Sequence, residues 1–255
     1  MTDSPDFLYE KKGPIAVMTW NRPDKRNCFT PQMIDDYYAA LDDFNQDPEL
    51  RVVVVASTGE QAWCSGGDLD AMIPAITSGQ WKINEDPTKR IYSDIFKPII
   101  CAVNGFATLE LVLGTDLCVA SENASFALGE VRWGMIPAGG SHVRLPRYLP
   151  WAISMEVLLL GRPISAERAY QVGLVNRLVP TVGEVIPAAM DLAEQICRNG
   201  PLAVRTAKEI ALRGRGEEPG LVLENALFQR VRESEDAREG PRAYMEKRKP
   251  RFVGR

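Results

Sequence analysis

The run Val52-Val53-Val54-Val55-Ala56 leaves this chain little conformational choice. Five residues are too few for a helix, and four consecutive β-branched side chains suit a pleated ladder better than a helical turn. With no polar residue to turn outward, the segment is expected to be a strand buried on both sides. Ile99-Ile100-Cys101-Ala102-Val103 reads the same way and ends at Asn104-Gly105. Leu117–Ala120 and Ser125–Leu128 are further strands, as is Ile15–Trp20, stopped by the turn signal Asn21-Arg22-Pro23-Asp24.

Helices fill the gaps and dominate the end. Thr30 reads as an N-cap with Pro31 at the first helical position. From there Met33, Ile34, Tyr37, Tyr38, Leu41 and Phe44 recur at helical spacing as a buried face, with Asp35, Asp36, Asp42 and Asp43 on the wet one. A glycine-bearing loop follows at Ser65-Gly66-Gly67-Asp68, then a stretch over 73–90 whose Pro74, Gly79 and Asp86-Pro87 favour a flap over a long helix. After Pro150, helices are predicted over 151–160, 166–172, 184–198 and 201–213, with Gly161, Gly173 and Gly200 at ends and Pro201 at a start. Residues 219–234 and 240–247 read as a charged helical tail. The class is α/β for the first two-thirds and mostly α beyond it.

Bulk properties exclude several functions. The net charge of −4 favours neither nucleic acid nor an anionic membrane as partner. No apolar stretch approaches the ~18 residues of a spanning helix, and Met1–Asp6 has neither the basic nor the apolar region of a signal peptide. Cytoplasm is the expected location. Cys28, Cys64, Cys101, Cys118 and Cys197 are odd in number and scattered, so buried thiols are expected in place of a disulfide framework or zinc site. His142, the single histidine, is expected to hydrogen-bond in a loop or at a helix start. Neither a dinucleotide fingerprint nor a P-loop occurs, and no cofactor is expected.

Two carboxylates stand out. Glu110 lies within Ala107-Thr108-Leu109-Glu110-Leu111-Val112-Leu113, and Glu130 follows Phe126-Ala127-Leu128-Gly129. A carboxylate among apolar neighbours costs free energy unless paired, so such groups mark acid and base chemistry or a bridge to an arginine such as Arg132 or Arg144. Residues alone leave both readings open.

The order of short segments goes further. It runs Asn21-Arg22-Pro23, Trp63-Cys64-Ser65-Gly66-Gly67-Asp68-Leu69, Lys97-Pro98 through Asn104-Gly105, and Ala120–Phe126. Gly134-Met135-Ile136-Pro137, Arg144-Leu145-Pro146-Arg147, Gly173-Leu174-Val175-Asn176 and Glu246–Pro250 complete it. Together these closely resemble the crotonase (enoyl-CoA hydratase/isomerase) family from about residue 7 onward. The resemblance implies a crotonase-like spiral of ββα units over 1–195, a C-terminal helical oligomerisation region over 196–255, and a homotrimer or dimer of trimers. It implies an acyl-CoA substrate whose thioester oxygen is held, as an enolate, by two backbone N–H groups. One of them belongs to Cys64.

In the hydratases two glutamates hold one water, and they match Glu110 and Glu130. Isomerisation on one carboxylate stays open, as does a catalytically silent acyl-CoA binder. For coenzyme A the resemblance implies Lys25 and Arg26 at the nucleotide end and Ser65, Gly66, Gly67, Asp68 and Leu69 along the pantetheine arm. Lys249 and Phe252 would reach the adenine of a neighbouring subunit. One departure stands against it: the family's three glycines before the first glutamate are missing between Thr108 and Leu109. Because both glutamates remain, unseen residues at that junction are expected. They would appear as a Cα separation well above ~3.8 Å.

Overall fold

In a computed structural model the chain is described over residues 6–68, 70–72, 91–129, 137 and 140–214, with eight single positions between 235 and 254. The β-branched run forms β3 (Val52–Ser57) at the heart of a six-stranded sheet. Its order is β1 (Phe7–Lys12), β2 (Ile15–Trp20), β3, β5 (Ile99–Val103), β7 (Leu117–Ser121) and β10 (Arg177–Val179). β1 and β2 form an antiparallel hairpin, and every later pair is parallel.

β3 is buried on both faces, as its composition requires. Val53 and Val55 join the core shared with helix α1 (Pro31–Gln46), while Val52, Val54 and Ala56 meet Val185, Ala189 and Ala193 of helix α6 (Val182–Cys197). Thr30 caps α1 by accepting a hydrogen bond from the Met33 N–H at 3.3 Å. The buried face of α1 departs from expectation at one place: Ala40 is inside and Tyr38 is 46% exposed. A 3.6-residue period turns position 38 outward from the stripe through Ile34, Tyr37 and Leu41.

Three strands of this sheet pass directly into three short ones. β3 leads to β4 (Ala62–Cys64), β5 to β6 (Phe106–Thr108) and β7 to β8 (Ser125–Ala127). These short strands lie side by side in a second sheet, β4-β6-β8-β9, parallel except for the last pair, with β9 at Ile164–Ser165. Gly105 makes the β5–β6 step possible. A Cβ there would sit 2.5 Å from the backbone carbonyl carbon of Gln61.

β6 ends at Thr108 and the one-turn helix α2 (Leu109–Val112) begins at the next residue, closed by the Leu113 N–H on the Leu109 oxygen. Thr108 is extended (φ −67°, ψ 131°), so it completes the ladder with Ala127 and serves as N-cap at once. The loop is short.

Helices α3 (Ser141–Tyr148), α4 (Trp151–Leu160), α5 (Ala166–Gln171) and α7 (Pro201–Arg213) follow. α4 ends at Gly161 in left-handed backbone, and α5 starts with the Ser165 hydroxyl accepting from the Arg168 N–H. The expected flap over 73–90 and the helices over 219–234 and 240–247 lie outside the described residues. All five cysteines are free, Cys64, Cys101 and Cys118 buried and Cys28 and Cys197 half-buried. Among the described residues no helix is long and apolar enough to cross a membrane, and no cluster of metal-ligating side chains occurs.

Candidate active site

Parallel strands gather ligands beyond their carboxyl ends, because the loops leaving neighbouring strands converge there. In the second sheet β6 is central. Its Ala107 pairs with Cys64 of β4, and its Thr108 with Ala127 of β8. Neighbouring strands lie about 4.8 Å apart, so the segments starting at Ser65, Leu109 and Leu128 leave one edge together. Cys64 and Glu110 are thereby brought to the same end of the sheet. Glu110 is the second residue of α2 and half-buried, as expected for a carboxylate beside a helix start. Glu130 and Leu69 lie outside the described residues, as do Lys249 and Phe252.

The Cys64 side chain points into the core and takes no part in solvent chemistry. Burial pushes its thiol up to about 12, and the sulfur accepts the Gly66 N–H. Its role is packing, which leaves only the backbone for function. The Ser65–Asp68 loop is then stitched to the chain before α1. Ser65 N–H donates to the Arg26 carbonyl at 3.2 Å, Phe29 N–H to Gly66 at 2.9 Å, and Asp68 N–H to Phe29 at 2.9 Å. Gly66 has φ of 98°, a conformation open to glycine, and a Cβ there would meet empty space. That empty space lets a ligand approach the backbone closely.

Lys25 and Arg26 are exposed at the rim of the same loop pair. Asp68 is tied within the loop. Its carboxylate accepts the Arg22 guanidinium at 2.6 Å and caps the turn at Asp70, whose N–H lies at 3.1 Å. The Arg22 guanidinium holds the Asp68 carboxyl below its ordinary range. This carboxylate fixes the loop's shape.

Two further residues build the site and were not singled out from the sequence. Asn27, fully buried in left-handed backbone (φ 53°), donates to Thr58 and Ala62 and accepts the Arg22 N–H. It ties the Lys25–Arg26 turn to β4. Tyr92 shares a 2.5 Å hydroxyl contact with Tyr37 and lays its ring against Gly114, just after α2. Asn in a turn between two hydrophobic runs was a readable signal, whereas Tyr92 offered none. His142 is the exposed second residue of α3.

Two sheets traced by strands that pass from one to the other, with Cys64 and Glu110 at the same end of the second, define a crotonase-fold protein. A family model described as enoyl-CoA hydratase/isomerase matches residues 10–255. An enoyl-CoA hydratase of Mycobacterium tuberculosis is 35% identical over 98% of this chain and 97% of its own length. A carnitinyl-CoA dehydratase of Salmonella paratyphi A is 38% identical over 96% and 97%. The crystal structure of an enoyl-CoA hydratase from Mycobacterium marinum superposes with a TM-score of 0.90 at 34% identity, covering 99% of this chain and all of that one. The chain belongs to the enoyl-CoA hydratase/isomerase family and is an enoyl-CoA hydratase-like enzyme.

Proposed function

We propose that this enzyme adds water to a 2-enoyl-CoA thioester, or removes it, through an enolate held by the backbone. The observation that carries the reading is the register of the second sheet, in which the strand ending at Cys64 lies beside the one that delivers Glu110. The strand leading toward Glu130 lies on its other side. In this reading the Cys64 N–H donates to the thioester oxygen, and each such donor lowers the barrier by about 3 kcal/mol. Glu110 and Glu130 share one water. Its oxygen bonds to the β-carbon as the double-bond electrons move to the thioester oxygen, and one proton returns to the α-carbon. Atoms balance with no added reagent. The coenzyme A chain runs past Ser65, Gly66, Gly67 and Leu69 toward Lys25 and Arg26, with Asp68 shaping the loop. Lys249 and Phe252 of a neighbouring subunit close over the adenine in a trimer or dimer of trimers. The setting is cytoplasmic, with no resident cofactor.

Loss of the conjugated thioester absorbance of crotonyl-CoA tests this. Glu110→Gln and Glu130→Gln should each slow turnover at least about 100-fold, and near-normal rates in both would end the two-carboxylate mechanism. A second reading is favoured by the direct passage from β6 into α2, which leaves no glycine loop for a second oxyanion donor. It is a silent acyl-CoA binder. Binding without α-proton exchange identifies that case, and exchange without a β-hydroxyacyl product identifies an isomerase.

A further inference from the structure

The opposite end of the first sheet holds a second hollow. The turns entering β2, β3 and β5 face the end of α6 and the start of α7 across a cleft of about 890 Å³. The strands run from this cleft toward the second sheet, and six residues of strand alone span about 20 Å. The cleft is therefore separate from the candidate active site.

Its charge is one-sided. Among the described residues, Arg51, Lys97 and Arg205 line it against one carboxylate, the exposed Glu49. Asp43 and Asp47 act on Lys97 from the α1 side, but Lys11 engages both at 2.7 and 2.8 Å. Arg51 donates to the Cys197 carbonyl at 3.0 Å, and Lys97 donates to the Phe44 and Asp47 carbonyls at 2.7 and 2.6 Å. These bonds fix two of the cations in place and leave donors unused. Arg205 is less satisfied. Among the described residues it makes one long bond, 3.4 Å to the Gly254 carbonyl, and its Nε–H has no partner. Arg205 as a whole is half-buried and lines the cleft, so its guanidinium can meet an incoming anion there. Burial first, and then the nearby Arg205 charge, push Lys97 down to about 8. Around the cations Pro14, Leu50 and Val204 form apolar walls.

We infer that this cleft binds an amphipathic organic anion, its phosphate or carboxylate head on Arg205 and its apolar body along Pro14, Leu50 and Val204. The volume lies in the range of organic ligand sites and far exceeds a bare ion. The site is independent of the proposed reaction.

Titration calorimetry on the full chain, with coenzyme A at saturation to occupy the active site, tests it with octyl phosphate as probe. Binding is expected to persist beside coenzyme A and to weaken at least about tenfold in Arg205→Gln, the loss of one charge-assisted contact. Octanoate should bind as well, while inorganic phosphate and octanol should each bind at least about tenfold more weakly, lacking half the recognition. Absence of binding, an unchanged affinity in Arg205→Gln, equal binding of octanol, or displacement by coenzyme A would each overturn the inference. Should Arg205→Gln lose its native circular dichroism, Arg51→Gln decides by the same threshold.

Discussion

Asn27 carries three hydrogen bonds in a buried turn whose backbone most residues avoid. Replacing it with alanine leaves the Thr58 and Ala62 carbonyls without this donor and adds backbone strain. A loss of about 2–4 kcal/mol in urea unfolding is expected. Asn27→Gly relieves only the strain, so it should fall between the two; equality of wild type and Asn27→Ala would refute the tie. Lys97 gives a pH signature. The folded state holds it down to about 8 against the ordinary 10.5, because its ammonium is buried near Arg205. Between those values the folded chain has released this proton while the unfolded chain still binds it, so stability gained from Lys97 rises with pH. Urea unfolding of wild type and Lys97→Met at pH 7 and pH 10 should show the wild type improving relative to the variant. A difference that stays constant removes the effect.

At the scale of elements, α2 is a single turn and cannot hold itself in place. Its position comes from what surrounds its exit. The Leu113 and Gly114 N–H groups close the turn, Thr115 bonds back to Val112 at 2.8 Å, and the Tyr148 hydroxyl donates to the Thr115 carbonyl at 3.1 Å. A Cβ on Gly114 would lie 2.2 Å from the Tyr92 ring. Gly114→Ala therefore has to displace either Tyr92 or α2, and Glu110 moves with α2. Turnover of an enoyl-CoA should fall at least about tenfold, since small misplacements are costly in catalysis. Steady-state kinetics at a temperature where the variant stays folded measure this. Full activity there would mean that α2 is positioned by other contacts.

For the whole molecule the telling surface is α4. It is apolar nearly all round, a composition that belongs inside a protein, yet Trp151 is 68% and Leu159 71% exposed. Such a face fits the proposed homo-oligomer. The double variant Trp151→Glu/Leu159→Glu should shift sedimentation from oligomer toward monomer while circular dichroism stays native. A wild-type monomer at micromolar concentration would remove the proposal.

Much of this was fixed by signals that one segment carries alone. β-branched runs gave the long strands, Thr30-Pro31 gave the start of α1, and Gly161 and Ser165 bounded α4 and α5, because rotamer restriction and capping act within a few residues. The carboxylates Glu110 and Glu130 were legible as candidates because each is an odd residue in its own neighbourhood, whereas the role of the Cys64 loop came from the family resemblance of its segment. The three-residue strands β4 and β6 were not legible, since their stability lies in ladder bonds to distant partners. The same holds for the Arg22–Asp68 pair across 46 positions, the buried Lys97 and the seating of Tyr92 against Gly114. The sequence by itself determined the long central strands and the capped helices, whose signals are local. Only the tertiary structure decided that strands far apart in the chain end side by side, because pairing and burial depend on what lies opposite.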